Sequence, residues 1–281
     1  MSLSRELQLH ITQLKEIRSI LNAMKNLAFM EIHKLNRFKT MQGQSVANME
    51  RIALDFLDFY PCLETADDAA HLCILLGAER GFCGDFNESL IKAIANRSFT
   101  GVIAIGSRLC TRLEGLTTEV IATLEGANVA EEVPAIINRL LDSISLLPNG
   151  GATHKPDPAL QLTIVYHEHT TNQICLRQVF PPIMPQQENT VHNGYPPILN
   201  LSPGDFLAEL VDHYLFAILH EIFYISLTAE NNRRLQHLDS AVNHLDDETS
   251  KLQKKSQIYR QEEITEEIEV ILLNAENNLL E

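Results

Sequence analysis

The chain has 281 residues with a formal net charge of −15, 37 acidic against 22 basic. That length suits one large domain, or a medium domain with an extended element. The charge has the wrong sign for a broad nucleic-acid footprint or for adhesion to an anionic membrane.

Residues 1–59 are the least acidic part, with 8 Lys/Arg and 6 Asp/Glu. The five cysteines, Cys62, Cys73, Cys83, Cys110 and Cys175, are odd in number and include no CxxC pair. They read as free thiols in a reducing compartment rather than a disulfide framework or zinc site. The start, MSLSRELQLH, lacks the apolar core of a secretory signal. The most apolar stretch, Tyr214 to Leu227, carries His220 and Glu221 and is too short to span a bilayer. The expectation is a cytoplasmic protein that reaches a membrane only through partners.

In chain order, the first sixty residues hold no proline and one glycine, Gly43. Leu14, Ile17, Leu21, Met24, Ala28, Glu31, Leu35, Phe38, Gln42, Ser45, Met49, Ile52, Phe56 and Phe59 alternate three and four residues apart. This predicts a long helix with a coiled-coil seam that stops at Tyr60-Pro61. Gln42 and Ser45 would mark where the seam parts or turns toward another domain.

Residues 61–200 alternate short β-branched runs with helical patterns. Strands are expected at Leu72–Leu76, Val102–Ile105, Glu119–Thr123, Leu160–His167 and Gln173–Phe180, and helices around Phe86–Ala95, Ser107–Leu113 and Val133–Leu146. Such alternation predicts a mostly parallel, Rossmann-like α/β domain. Thr171-Asn172 suggests a hairpin and hence an antiparallel edge. Residues 148–158 read as an exposed loop and 181–200 as irregular.

A second long helix is expected from Ser202, with Ser202 as N-cap, Pro203 in the first turn and Asp205 at the positive end of the dipole. After Gly204 no Gly or Pro occurs. Its seam runs through Leu235, Leu238, Val242, Leu245, Thr249, Leu252, Ser256 and Tyr259. It continues less regularly at Ile264, Ile268, Ile271, Ala275 and Leu279. Unbroken, such a helix spans roughly 115 Å, too long for a compact globule to bury. The fold class is therefore α/β: a long antiparallel two-helix coiled coil formed by the terminal helices (1–60 and 201–281), with an α/β globular domain (61–200) between them.

Three groups could carry chemistry. Glu79 to Asn87, ERGFCGDFN, runs from a strand into a helix as phosphate cradles do, but matches neither GxGxxG nor GxxxxGK[ST]. Cys83 could be a nucleophile at a helix N-terminus, yet nothing assigns it a base. A tight strand-to-helix turn is the plainer reading. His167 and His169 share one strand face and could ligate a metal, with His154 and His192, but nothing resembles HExxH and a solvated strand end beside the turn is the plainer reading. Glu262, Glu263, Glu266, Glu267 and Glu269 form a polar helix flank. Among these carboxylates Arg260, Gln261 and Thr265 stand out as groups able to grip a partner's loops.

Three blocks together resemble the gamma subunit of F-type ATP synthases. ITQLKEIRSILNAMKNLAFMEIHKL is similar to the family's IRSI…ITKAM, and ERGFCGDFN to DRGLCGGLN. SLTAENNRRLQHLDSAVNHLDDETSKLQKKSQIYRQEEITEEIEVI is similar to SEHAARMVAMKNATDNA…YNKARQ…IT.EI.EI. PPILNLSPGDFLAEL also resembles the segment leading into the family's last helix.

The resemblance implies a central rotor shaft turning inside an alpha-beta hexamer and coupling ion flow to ATP synthesis or hydrolysis. It implies partners in the alpha and beta subunits, an epsilon-like subunit and the membrane c-ring. It implies no catalytic residue, cofactor or metal of this chain's own, and a peripheral place on the cytoplasmic face of the cell membrane. By position, Arg260, Gln261 and Thr265 would meet the beta subunit's catch loop, and Met24 and Lys25 its lever. Asp85, where the family usually has Gly, the diluted basic stretch after Met24 and the bulky ending ILLNAENNLLE are departures, those of a divergent or alternate ATPase. Proton or sodium is left open as the coupling ion. A coiled-coil scaffold and a nucleotide-binding α/β enzyme are the other classes.

Overall fold

An uninterrupted run of helix-compatible residues gives α1, Leu3–Leu57, and a second gives α5, Pro203–Asn277. The computed structural model describes residues 3–60, 70–113, 119–145, 160–168, 173–180 and 195–277. The calls on Pro61, Cys62, the 148–158 loop, His154, His169, the Thr171-Asn172 turn, most of the 181–200 stretch, His192 and the last residues lie outside them. The start of α5 is built as its sequence dictates. The Ser202 hydroxyl accepts from the Asp205 N–H at 3.3 Å and donates to the Asp205 carboxylate at 2.6 Å, so one orphan donor of the first turn is satisfied.

Two compact units result, Met1–Leu27 with Leu235–Glu281, and Ala28–Arg234. In the first, α1 and α5 pair antiparallel. Leu21 and Met24 pack on Leu238, Ala241, Val242 and Leu245. Arg18 pairs with Asp246 (Nη2–Oδ2 3.0 Å) and Lys25 with Asp239 (2.9 Å).

The second unit is built on a five-stranded sheet ordered β3-β2-β1-β4-β5, from β1 Ala70–Leu76, β2 Gly101–Ile105, β3 Val120–Leu124, β4 Leu160–His167 and β5 Ile174–Phe180. All pairings are parallel except β4 with β5, so the expected antiparallel edge is present. One face packs α2 (Phe86–Ile94) and α3 (Ser107–Cys110) on Cys73, Leu75, Val102, Ala104 and Val165. The other packs α4 (Val133–Ser145) and segments of α1 and α5 on Leu72, Ile74, Ile103, Leu162 and Ile164. Within this unit α1 and α5 also run antiparallel: Phe38 stacks on Tyr224 and Phe56 lies against Phe206.

Burial along α1 corrects the phase of the predicted seam. Leu21, Ala28, Leu35 and Phe56 are buried as expected. Ile32, Val46 and Ala53 are also buried, each one residue later than the position read from the sequence, and Ile11 is buried ahead of the predicted run. Ile17 (46%) and Ile52 (45%) are exposed, as is Ser45. Arg18 takes the place given to Ile17, whereas Met24 stays partly buried in the seam with Lys25 beside it. A charged residue is stable there because its aliphatic stem covers the seam while its head pairs with an aspartate across it. Gln42 does not mark a parting: its side-chain amide donates to the Ala217 carbonyl of α5 at 3.0 Å.

One 18-residue window of α5 reaches a mean hydropathy of 1.3, enough by length and composition to cross a membrane. More than half of that window is buried, and Tyr214, Ala217, Ile218, Leu219, Ile222, Phe223 and Leu227 belong to the core. Apolar residues here serve packing on the sheet.

Candidate functional site

In an open parallel sheet, ligands settle at the carboxyl ends of the strands where the chain reverses its direction of travel. Here that point lies beside β1, with β2 and β3 on one side and β4 on the other. The Glu79–Asn87 turn leaves β1 at this place. The donors of the two neighbouring loops are engaged by its first residue. Glu79 Oε2 accepts from the Ser107 N–H (2.8 Å) and the Gly126 N–H (2.6 Å), and Oε1 from the Ser107 hydroxyl (2.6 Å). A carboxylate of the chain thus stands where a phosphate would bind. The backbone is crowded around it: a Cβ on Gly106, whose φ is +115°, would lie 2.7 Å from the Gly77 carbonyl.

Burial disfavours the Glu79 charge, but these hydrogen bonds outweigh it and hold the carboxyl below its ordinary range. A depressed carboxylate contributes stability above its unfolded pKa and loses it as pH falls through the folded one. Glu79→Gln should therefore unfold at lower denaturant than the parent at neutral pH. The two curves should converge in acid, which urea titrations followed by circular dichroism across pH would show.

The rest of the turn is bound to α5. The Arg234 guanidinium donates to the Gly81 carbonyl (3.3 Å), to Asn231 Oδ1 (2.8 Å), to Cys83 Sγ (3.6 Å) and to Glu230. Both members of the Glu230–Arg234 pair are buried. This grip holds Phe82 in left-handed backbone, φ +64°, a conformation that costs a bulky residue about 1–3 kcal/mol. Burial, with Glu230 adding to it, pushes the Cys83 thiol up to about 12. A thiol so protonated is a packing group, not a nucleophile.

Asp85 starts α2 without capping it and instead reaches Arg233 Nη1 at 3.4 Å. The departure from glycine is thus matched by a solvent-facing ion pair. His167 Nε2 lies 2.9 Å from the Phe86 carbonyl and 3.2 Å from the Ser89 hydroxyl, and burial lowers its pKa. It is a core histidine that ties β4 to α2. Among the described residues no three His, Cys, Asp or Glu side chains gather as a metal site.

The remaining candidates lie on the paired helices. Met24 is partly buried in the seam and Lys25 is paired with Asp239. Arg260, Gln261 and Thr265 are exposed, and the Thr265 hydroxyl donates back to the Gln261 carbonyl at 2.8 Å. The pairs Arg18–Asp246 and Lys25–Asp239 fix a register that sets Leu3, the first residue of α1, opposite Gln261. Beyond that point α5 has no described residue of α1 beside it, and Ile264, Ile268 and Ile271 are about half exposed or more. The pairing of Arg18 and Lys25 with distant aspartates is the feature that sequence reading missed. The basic residues directly after Ile17 and Met24 were the available signal.

A family model described as ATP synthase matches residues 4–276. The ATP synthase gamma chain of Rickettsia typhi is 24% identical, covering 94% of this chain and 96% of its own length. That of Paramagnetospirillum magneticum is 22% identical, covering 97% and 98%. The fold is similar to a chain of the Euglena gracilis mitochondrial ATP synthase rotor, with TM-score 0.63 at 13% identity over 93% of this chain and 98% of that one. The chain belongs to the ATP synthase family, and its end-to-end relatives there are gamma chains.

Proposed function

We propose that this chain is the central rotor shaft of a rotary F-type ATP synthase or ATPase. It turns inside a hexamer of alpha and beta subunits and couples proton or sodium flow to ATP synthesis or hydrolysis. The observation that carries the reading is the antiparallel pair of Gly- and Pro-poor helices from which α5 runs on with exposed Arg260, Gln261 and Thr265. Residues 1–60 and 201–281 form the shaft helices and 61–200 the globular part that meets an epsilon-like subunit and the membrane c-ring. Catalysis belongs to the beta subunits, and the chain's place on the cytoplasmic face of the membrane follows from its partners. Arg260 and Gln261 grip the beta subunit's catch loop through charge-assisted hydrogen bonds, and Met24 and Lys25 lie near its lever.

Co-expression with alpha- and beta-type subunits tests this directly. The expected result is a stable complex that hydrolyses ATP only when the hexamer is present. A chain that co-purifies with neither subunit, or that hydrolyses ATP alone, would overturn it. Within the complex, Arg260→Ala with Gln261→Ala should weaken attachment to the hexamer by about tenfold or more, the scale of an exposed arginine anchor. Helicity of the free chain should be unchanged, since neither side chain is buried.

A further inference from the structure

A second, half-buried network lies at the β5 edge of the sheet. Arg177, on the edge strand β5, divides its guanidinium between the two long helices. Nη2 donates to Glu50 of α1 at 3.1 Å and Nη1 to Glu221 of α5 at 3.3 Å. The Tyr214 hydroxyl of α5 donates to the same Glu50 oxygen at 3.3 Å. Glu221 is the most enclosed of the three, its side chain 17% exposed, and Gly43 of α1 leaves it room: a Cβ there would stand 3.2 Å from Glu221 Oε1. Burial pushes the Tyr214 hydroxyl up to about 12, so it remains a donor.

Around this network the contact between these helices and the sheet is apolar: Val46, Val211, Ile218, Leu219 and Ile222 against Leu162, Ile164 and Val179. Apolar packing opposes separation but is non-directional, so it resists rotation or sliding of a helix weakly. A planar fork with one carboxylate on each helix resists both, because either motion lengthens a charge-assisted bond. Without Arg177 the two carboxylates would face each other across the helix pair.

We propose that Arg177 is a torque clamp, a positioning residue that locks the rotational setting of α1 and α5 against the globular sheet through Glu50 and Glu221. The role rests on the rotor reading. Arg234, which ties α5 to the Gly81 carbonyl, is a second joint of the same kind. Two springs in parallel lose half their stiffness when one of equal strength is cut. The angular variance of the rotor then rises up to about twofold, registry being the best-attested role of ion pairs held inside a packed contact.

The test uses the complex with alpha and beta subunits, the hexamer immobilised and a bead on the globular unit. The triple variant Glu50→Gln, Arg177→Met, Glu221→Gln removes every charge of the clamp and leaves none stranded. The expected result is a wider angular distribution in the paused motor and less ion transported per ATP in the membrane-bound complex, with the melting temperature unchanged. Fluctuations as narrow as the parent's overturn the clamp while leaving the rotor reading intact. A parent chain that fails to assemble with the hexamer overturns both. If the triple variant does not fold, Arg177→Lys decides alone. It keeps the charge but not the fork, so widened fluctuations support the clamp and parental ones overturn it.

Discussion

Replacing Arg234 by methionine should lower the unfolding free energy of the chain by about 3–5 kcal/mol, the cost of stranding one member of a buried ion pair. The side chains of Glu230 and Arg234 are 5% and 8% exposed. With the guanidinium gone, Glu230 keeps neutral partners, the Arg80 N–H at 3.5 Å, the Glu79 backbone and the Cys83 thiol, but no cation. The Gly81 carbonyl loses its guanidinium donor as well and keeps the weaker Cys83 thiol at 3.4 Å, so the left-handed backbone of Phe82 is held less firmly. Burial already raises the Glu230 pKa against the opposing pull of Arg234, so removing Arg234 drives it higher. A raised carboxyl stabilises the fold below its unfolded pKa and loses that contribution as pH rises through the folded value. The deficit of Arg234→Met should therefore be smallest in acid and grow toward neutrality. Glu230→Leu with Arg234→Met should recover much of the loss, because a buried pair replaced by apolar groups of similar volume is often neutral. Urea unfolding of both variants in mild acid and at neutral pH checks this. Equal stability of Arg234→Met and the parent would show that the pair does not hold the turn.

Much of this molecule is legible locally. Each strand is a run of β-branched and aliphatic residues with Gly or polar punctuation, and each short helix has its own apolar face, so their places follow from spacing alone. What the sequence does not display are relations between distant residues. Asp85 finds Arg233, 148 positions away; Glu79 fills an anion site made by Ser107 and Gly126; Arg177 needs Glu50 and Glu221. His167 looks like a surface ligand on its strand, and only the packing of α2 shows it to be interior. The phase of the α1 seam fails for the same reason. A periodicity count credits Ile17 over Arg18, because it sees hydrophobicity but not Asp246 on the opposite helix.

That phase has a direct consequence. Leu238→Ala should cost about 2–5 kcal/mol, the range for truncating a fully buried leucine whose neighbours close only partly over the cavity. Leu238 is 0% exposed and packs with Leu21 and Val242, and no other buried cluster joins α1 and α5 in the Met1–Leu27 and Leu235–Glu281 unit among the described residues. Ile17→Ala should cost no more than about 0.5 kcal/mol, as surface changes do, since Ile17 is 46% exposed. The seam read from hydrophobicity alone makes the opposite forecast, with Ile17 at an interior position and its loss comparable to that of Leu238. Thermal melts of the two single variants, followed by helix ellipticity, separate the two phases. A loss for Ile17→Ala as large as that for Leu238→Ala would restore the apolar phase at Ile17. A small loss for Ile17→Ala beside a large one for Leu238→Ala would establish that Arg18 takes its place in the seam. The exposed Ile17 and Ile20 would then be free to face the wall of the hexamer in which the shaft is proposed to turn.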